Sequence, residues 1–267
     1  MKDQTMSKDY VQELVDILAT LRAPDGCPWD HEQTHQTLKR YLVEESGELL
    51  DAIEDEDDEA IVDELGDVLL QVVFHAQIGK EEGRFDLQQV ARNCCEKMIR
   101  RHPHVFADTQ VADSAGVLDQ WEKIKRTEKT GQKRTSAVSG VPRHLPALHR
   151  AHKIQKKAAK VGFDWPTIDG ALAKIDEELA EVREALLGND DAAVAEEIGD
   201  LLFAVVNVSR FRKHQAEELL HGTVKKFENR FVRMEEILGE NGKKPEQCTL
   251  EELDALWDQA KKDEKKG

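Results

Sequence analysis

The sequence lacks several features that mark large classes of protein. Its 267 residues contain no run of about 18 apolar residues, so no membrane span is expected, and only 5% of them are aromatic. The four cysteines form no C-x-x-C pair. We therefore expect free thiols in a reducing compartment rather than disulfides or a structural zinc site. The N-terminal stretch MKDQTMSKDYVQELV lacks the apolar core of a secretory signal, which favours a cytoplasmic location.

Positive charge is also scarce. Lysine and arginine number 38 against 54 acidic residues, which gives a net charge of −16. This balance argues against a general nucleic-acid coat or an anionic-membrane binder, because both need a basic surface. It does not exclude a small phosphate ligand, since bound metal ions and local Lys or Arg can reverse the local field. No strand pattern of useful length is present, so the predicted fold class is all-α.

What the sequence does contain is paired carboxylates. Glu178 and Glu181 form one pair and Glu197 and Asp200 a second, each with i,i+3 spacing that places both acids on one face of a helix. Turn residues at 188–190 predict that the two helices form an antiparallel hairpin. Four acids brought together repel one another unless a cation joins them, and ligands that are all oxygen suit Mg²⁺ or Mn²⁺.

The same pattern occurs twice. An E-E-x-x-E segment followed by E-x-G-D lies 133 residues earlier with no gap, and its acids are Glu45, Glu48, Glu64 and Asp67. Chance does not easily give two charged helices the same pattern at the same spacing. We therefore predict two tandem four-helix units joined by a polar linker. Their predicted bounds are 1–128, 129–140 for the linker, and 141–267.

Helical spacing of apolar residues predicts the individual elements. In the first unit the predicted helices cover about 9–22, 34–54, 59–80 and 87–101. The second unit repeats this order, with an entry helix at about 145–161 and a fourth helix from about residue 216. On the helix at 59–80 we expect six apolar residues on the buried face: Ile61, Leu65, Val68, Leu69, Val72 and Val73.

Cationic and aromatic residues follow the acids in the second unit. Lys226 and Arg230 are four residues apart and share a helix face, and Trp257 precedes Lys261 at the same spacing. With a metal cluster these residues would make a nucleotide pocket: Lys and Arg would neutralise phosphates, and the indole would pack on a base. Each feature taken alone is more often a solvated face or ordinary packing. His149 and His152 lie i,i+3 on a predicted helix without acidic partners nearby, so we expect both at the surface.

Longer motifs combine these features. They are GCPWD, YLVEESGELLDAI, ELGDVLLQVVFHAQ, RRHPHVFAD, KIQKKAAKVGFDW, EEIGDLLFAVVN and KFENRF. Together they resemble the MazG family of nucleoside triphosphate pyrophosphohydrolases in its tandem two-domain form, over nearly the whole chain. The resemblance implies an all-α pyrophosphatase fold, a homodimer, binding of ATP and other nucleotides, and Mg²⁺-dependent cleavage of NTPs and dNTPs to the monophosphate and pyrophosphate.

The resemblance also assigns roles to residues. The implied metal ligands are Glu178, Glu181, Glu197 and Asp200, with Mn²⁺ as a possible substitute for Mg²⁺. The implied contacts to the nucleotide, or supports of the site, are Lys174, Glu177, Glu196, Lys226, Arg230, Trp257 and Lys261. Glu177 or Glu178 is expected to act as the catalytic base.

The two copies are expected to differ in role. In this form of the family the C-terminal copy resembles the active one, and the N-terminal copy often serves dimerisation. Here the N-terminal copy keeps all four acids, but Tyr41 replaces Lys174 in it. Whether that copy binds metal or acts as a weak site stays open.

Two rival functions are compatible with an acidic helical bundle. A carboxylate-bridged di-iron oxidoreductase needs Glu-x-x-His motifs, and the pairs here contain only oxygen ligands, so iron redox chemistry is disfavoured. A non-catalytic nucleotide or metal sensor that acts through helical contacts with a partner would use the same ligands. Only turnover separates that sensor from an enzyme.

Overall fold

A computed structural model of the chain describes residues 8–107, 109, 111, 113–128, 136–188 and 190–264. The chain divides into two compact units, at residues 1–131 and 132–267. Within the described residues the secondary structure is helical and contains no strand, which confirms the all-α prediction. None of the helices in these ranges is long and apolar enough to cross a membrane. Most of the predicted linker, residues 129–135, lies outside the described residues.

The first unit is built around one long hairpin and its flanking helices. Its helices are α1 (Tyr10–Leu21), α2 (Pro28–Glu32), α3 (Lys39–Glu54), α4 (Asp58–Glu81), α5 (Leu87–Arg101), α6 (Pro103–Phe106) and α7 (Ser114–Glu128). Helices α3 and α4 form the hairpin that carries the first set of acids, and α1 and α5 pack against α4. The predicted helix at 34–54 begins only at Lys39, after a turn.

The second unit repeats the hairpin. Its helices are α8 (Ala147–Ala159), α9 (Ile168–Gly188), α10 (Asp191–Phe211), α11 (Ala216–Glu240) and α12 (Leu250–Glu264), with a short 3-10 turn at Pro245–Gln247. Helices α9 and α10 form the acid-bearing hairpin, and α8 packs on α10 and α11. Helix α12, which the apolar periodicity did not predict, packs along α11.

Aspartate caps start the helices that matter most for the repeat. The Asp57 carboxylate accepts hydrogen bonds from the backbone N–H groups of Glu59 and Ala60 at the start of α4. Asp190, 133 residues later, caps α10 in the same way. An N-cap of this kind satisfies backbone donors that the helix itself leaves unpaired, typically worth about 1 kcal/mol. The repeat therefore includes the turn as well as the acids.

The first unit has a core of large apolar side chains. Leu18, Leu38, Val73, Phe74 and Ile78 form a buried cluster between α1, α3 and α4. These five side chains are 1–3% exposed. Burial of a Leu, Val, Ile or Phe side chain contributes roughly 1.5–3 kcal/mol each, so this cluster holds the hairpin against α1.

A buried ion pair also joins α1 to α4. The Arg22 side chain is 5% exposed, and its Nη2 lies 2.7 Å from Oε2 of Glu81. Its Nη1 donates to the backbone carbonyls of Asp30 and Gln33 at 2.5 and 3.2 Å. Burial is the largest single influence and alone would raise the pKa of Glu81, but the hydrogen bonds from Arg22 and Gln77 and the positive charge of Arg22 together outweigh it and hold that pKa below its usual value.

The core of the second unit uses smaller residues at equivalent positions. Ala171 stands where the first unit has Leu38, and Asn207 stands where it has Phe74. All four are buried, at 1, 1, 7 and 3% exposed for Ala171, Leu38, Asn207 and Phe74 respectively. The second unit therefore has less side-chain volume beside its hairpin, and a cavity lies there.

The expected buried face of α4 was wrong in part. Leu65, Leu69 and Val72 are 50, 36 and 39% exposed, whereas Val73 is 1% exposed. The apolar stripe on α4 is wider than the surface that the rest of the unit covers. A wide stripe satisfies the helical period equally well whichever edge is buried, so periodicity could not distinguish them.

Candidate functional site

The acidic hairpin of the second unit brings three carboxylates together. Oxygen atoms of Glu178, Glu197 and Asp200 all lie within 4.8 Å of one another. Glu178 is on α9, and the other two lie one helical turn apart on α10, as the i,i+3 spacing requires. The sequence therefore predicted correctly that the two helices present these acids to one another. Their spacing allows one cation to contact all three.

Glu178 is the most buried of these acids. It is 4% exposed, and its Oε1 lies 2.5 Å from Nζ of Lys174. Its other oxygen, Oε2, is buried and has no hydrogen-bond partner within the described part of the chain. A buried carboxylate oxygen without a donor is costly, and a bound cation would satisfy it. This orphaned atom and the all-oxygen donor set fit Mg²⁺ or Mn²⁺.

The fourth predicted ligand, Glu181, lies beside the cluster. It is not in the group whose oxygens all fall within 4.8 Å. Its pKa is raised, first by partial burial and then by the hydrogen bond and negative charge of Glu178, with a smaller effect from Glu197. The negative charge around Glu181 therefore disfavours its ionised form, and a bound cation would offset that effect.

Lys174 links two of the predicted site residues. Its Nζ lies 2.8 Å from Oε1 of Glu177 as well as 2.5 Å from Glu178. The hydrogen bonds to these two carboxylates raise the pKa of Lys174, so it stays cationic. The Glu177 side chain is 57% exposed, and Glu196 is also exposed. These two acids flank the cluster on the solvent side.

The other predicted substrate contacts lie on the hairpin of α11 and α12. Arg230 Nη2 is 2.7 Å from Glu264, and Lys261 Nζ is 2.9 Å from Asp258. The ring of Trp257 lies 4.9 Å from that of Phe227. Lys226 is exposed. These four residues do not line the cavity beside the carboxylates, so their predicted contacts to a nucleotide stay predictions.

A cavity of about 770 Å³ opens beside the carboxylate cluster. Three of its lining residues are the predicted site residues Lys174, Glu178 and Asp200. The rest come from the turn at 136–140, from α8, from α10 and from the loop between α8 and α9, and include Val138, Gln155, Phe163, Asp164, Trp165, Phe203, Asn207 and Arg210. Val138 belongs to the stretch predicted as a linker. The volume of the cavity is within the range of small-ligand pockets, roughly 300–1,000 Å³.

Two contacts hold the aromatic loop of this cavity in place. Nη2 of Arg210 donates to Oδ1 of Asp164 at 2.5 Å, which ties the loop to α10. Trp165 lies directly over Gly170, where a Cβ would be 2.3 Å from Cδ1 of the indole. Only glycine allows this close approach. The signal in the sequence was the GFDW segment, but nothing in its pattern showed that it adjoins the acids.

His152 was expected at the surface, and this was wrong. It is 6% exposed, and its Nδ1 has no partner within the described ranges. Its pKa is lowered, mainly by burial and then by the positive charge of Lys156. Helix α8 packs on both α10 and α11, so more of its circumference is covered than its apolar stripe indicated. His149, which was also expected at the surface, is half-buried, and its backbone N–H donates to Oε2 of Glu217 at 3.0 Å.

The hairpin of the first unit also gathers acids. Oxygen atoms of Glu45, Glu48 and Glu64 lie within 4.8 Å of one another. The pKa of Glu45 is raised by burial and then by the charges of its acidic neighbours, and that of Glu64 is raised for the same reasons. Tyr41, which replaces Lys174, packs against the apolar core instead of pairing with these acids.

Fold and site together define a class: an all-α protein with tandem hairpins, each presenting a cluster of oxygen ligands. The family model described as the MazG nucleotide pyrophosphohydrolase domain matches residues 33–106 and 167–232. The two matches cover the two acidic hairpins. The chain belongs to the MazG family.

Curated relatives extend the similarity over almost the full length. The chain is 47% identical over 250 residues to the nucleoside triphosphate pyrophosphohydrolase/pyrophosphatase MazG of Thermotoga maritima, covering 94% of this chain and 95% of that protein. It is 45% identical over 261 residues to the nucleoside triphosphate pyrophosphohydrolase of Escherichia coli K12, covering 96% and 98%. It is also 48% identical to the uncharacterized protein YabN of Bacillus subtilis, over 94% of this chain and 51% of that protein.

Proposed function

We propose that this protein is a Mg²⁺-dependent nucleoside triphosphate pyrophosphohydrolase that converts NTPs and dNTPs to the monophosphate and pyrophosphate. The observation that carries the proposal is the carboxylate cluster of Glu178, Glu197 and Asp200 at the wall of a nucleotide-sized cavity. The names of the relatives from Thermotoga maritima and Escherichia coli support the same activity.

Metal would be held by Glu178, Glu197 and Asp200, with Glu181 completing the set. The orphaned Oε2 of Glu178 and the raised pKa of Glu181 both favour a cation at this place. When bound, Mg²⁺ would neutralise charge on the phosphates and lower the pKa of a coordinated water. Mn²⁺ offers similar chemistry with the same oxygen ligands.

The chain's own residues then have separable tasks. Lys174 remains cationic between Glu177 and Glu178, and it lines the cavity where it can pair with a phosphate oxygen. Glu177 is largely exposed and is not part of the metal group, and since Lys174 pairs with its Oε1, its other carboxylate oxygen would take a proton from an attacking water. Lys226, Arg230, Trp257 and Lys261 would contact the nucleotide from the α11–α12 hairpin.

The two units would divide the work. The second unit would carry catalysis, and the first would serve dimerisation, because Tyr41 supplies no charge for a phosphate. Exposed apolar residues on the acidic hairpins, such as Leu50, Val62, Leu186 and Leu202, are 50–72% exposed and favour a homodimer that covers them. A cytoplasmic location fits this role.

The direct test is incubation with each NTP and dNTP in the presence of Mg²⁺, with products identified by chromatography. We expect pyrophosphate and the monophosphate as the first products and no activity in EDTA. Release of orthophosphate first, or undiminished activity in EDTA, would rule the proposal out. Size-exclusion chromatography with light scattering would test the homodimer separately.

A further inference from the structure

The cavity beside the carboxylates carries an inference about which part of the substrate it takes. We propose that it is the nucleobase subsite, in which Gln155 and Asn207 hydrogen-bond the edge of the base and the aromatic loop covers its face. This proposal rests on the proposed function, since it names where the nucleoside of that substrate binds. The argument depends on the orientation of two buried amides and on how the repeat differs between the units.

The cavity joins two kinds of surface. Lys174, Glu178 and Asp200 contribute charge to its wall, while Phe163, Trp165 and Phe203 contribute aromatic rings. Metal and phosphates suit the first kind of surface. A flat, weakly polar group suits the second, because every nucleobase has a face that stacks on aromatic side chains. A nucleoside triphosphate is a ligand that has both parts joined in one molecule.

Gln155 provides one fixed acceptor. It is 7% exposed, and its Nε2 donates to the backbone carbonyl of Phe203 at 2.8 Å. A carbonyl oxygen can only accept, so the amide orientation is determined. Its Oε1 is left buried without a partner among the described residues. Buried acceptors are normally satisfied, so this atom indicates a donor supplied by a ligand.

Asn207 provides one fixed donor. It is 7% exposed, and its Oδ1 accepts from Nε of Arg210 at 2.8 Å. Guanidinium nitrogens can only donate, so the other end of the amide must be the NH₂ group. Arg210 is itself paired with Asp164, and this ion pair holds the guanidinium in place to donate to Asn207. No hydrogen bond from Asn207 Nδ2 is found in the part of the chain that the structure describes, so it can donate to a ligand.

One acceptor and one donor match the pairing edge of a base. Adenine and cytosine present an amino donor next to a ring-nitrogen acceptor, and guanine, thymine and uracil present a carbonyl acceptor next to a ring N–H. Because the two groups present the donor and the acceptor in opposite order, a base of either group can pair with both amides, but with opposite faces turned to the aromatic loop. We infer that the subsite binds the nucleobase as a class and contributes affinity rather than narrow specificity.

The first unit lacks this subsite even though it keeps the acids. Phe74 occupies the position equivalent to Asn207 and is a 3% exposed member of the apolar core. Leu38 replaces Ala171 in the same core. The first unit therefore lacks the amide of Asn207, and larger apolar side chains stand in place of Asn207 and Ala171. In the same unit Tyr41 replaces Lys174. Two residues that line the cavity of the second unit, Lys174 and Asn207, are thus replaced in the first unit by residues that offer a nucleotide neither a charge nor an amide.

The test compares a nucleotide with its phosphate chain alone. Binding of α,β-methylene-ATP and of inorganic tripolyphosphate would be measured by calorimetry in Mg²⁺ for the full chain and for Gln155→Met and Asn207→Leu. Both substitutions are nearly isosteric and add no charge. Asn241→Leu is the matched control, because this partly buried amide donates to the Ile237 carbonyl at the end of α11, away from the cavity.

We expect each cavity variant to bind the nucleotide analogue about 3- to 10-fold more weakly while its affinity for tripolyphosphate is unchanged. The control should match the parent for both ligands. Melting temperatures identify a cavity variant that fails to fold. In that case the other cavity variant alone tests the proposal. Equal losses for both ligands, or an unchanged affinity for the nucleotide in a folded variant, would overturn the proposal.

Three further outcomes complete the test, and the second of them separates this proposal from the proposed function. If Trp257→Leu weakens binding of the nucleotide analogue and the cavity variants do not, the base lies on the α11–α12 hairpin and the cavity assignment is wrong. If the parent binds the analogue through Gln155 and Asn207 but releases no pyrophosphate from ATP, the subsite stands and the catalytic proposal fails. A parent that binds the analogue no better than tripolyphosphate also overturns the subsite.

Discussion

Gly170 offers a sharp test of how the aromatic loop is held, because it lets Trp165 lie against α9. A Cβ added at this position would stand 2.3 Å from Cδ1 and 2.5 Å from Cγ of the indole. Such distances are far inside van der Waals contact, and the indole cannot yield by moving only a flexible tip. Gly170→Ala must therefore displace the Trp165 ring or shift the start of α9.

The expected magnitude follows from a matched glycine. Gly222 lies inside α11, and a Cβ there would meet nothing within 4 Å. Alanine inside a helix is favoured over glycine by roughly 0.5–1 kcal/mol, and this gain largely cancels when the two variants are compared. The remaining difference is the cost of overpacking, about 1–3 kcal/mol. At about 2–4 °C per kcal/mol, Gly170→Ala should melt about 2–12 °C below Gly222→Ala.

The assay is thermal unfolding followed by circular dichroism for the parent and both variants. Gly222→Ala should be at least as stable as the parent, and Gly170→Ala should be less stable than either. The displaced indole should also weaken nucleotide binding, because Trp165 lines the cavity. If Gly170→Ala is as stable as Gly222→Ala and binds the analogue of ATP normally, the close packing of Trp165 on α9 is refuted.

Three further substitutions test separate parts of the account. Glu181→Gln should leave the apo protein at least as stable as the parent, because the substitution removes one repelling charge. Mg²⁺ should then raise the Tm of this variant less than it raises the Tm of the parent. An equal rise in Tm for the two proteins would exclude Glu181 as a ligand. Lys174→Tyr, which copies Tyr41, should lower pyrophosphate release about ten- to a hundredfold, and normal release would contradict its phosphate contact. Arg22→Leu should cost about 2–4 kcal/mol in urea unfolding at neutral pH, because two backbone carbonyls and Glu81 lose their donor. The pKa of Glu81 is lowered in the folded protein. The ion pair of Arg22 with Glu81 therefore stabilises the fold above the unfolded pKa of Glu81, about 4.3, and this stabilisation is lost as pH falls through the folded pKa. The difference between Arg22→Leu and the parent should therefore shrink below about pH 4, and a difference that does not change with pH would contradict the ion pair.

The acidic hairpins could be predicted from the sequence because their signal is local. Spacing of i,i+3 fixes which acids share a helix face, and the turn before Asp190 fixes that the helices run antiparallel. The meeting of Glu178 with Glu197 and Asp200 followed from these two facts. The repeat strengthened the prediction because it made the same pattern appear twice.

The cavity could not be predicted because it depends on what is missing between elements. Ala171 and Asn207 look ordinary in the sequence, and only their packing shows that they leave space where Leu38 and Phe74 fill it. The free acceptor of Gln155 likewise depends on a carbonyl 48 residues away in the chain. Long-range contacts of this kind have no periodic signal.

The exposed apolar stripe was mispredicted for a related reason. Helical periodicity locates an apolar face, but it does not show whether the same chain or another molecule covers it. Leu65 is 50% exposed within its own unit although it lies on the face expected to be buried, and Leu202 on the second hairpin is equally exposed. Their exposure is consistent with the proposed homodimer.

The central claim is that chemistry takes place at the carboxylate cluster of the second unit. It is tested most directly by measuring pyrophosphate release from NTPs in Mg²⁺ for Glu178→Gln and Glu45→Gln, which change equivalent acids in the two units. The account predicts that Glu178→Gln loses most of the activity and that Glu45→Gln keeps most of it, with both variants folded. Comparable losses in the two variants would contradict it.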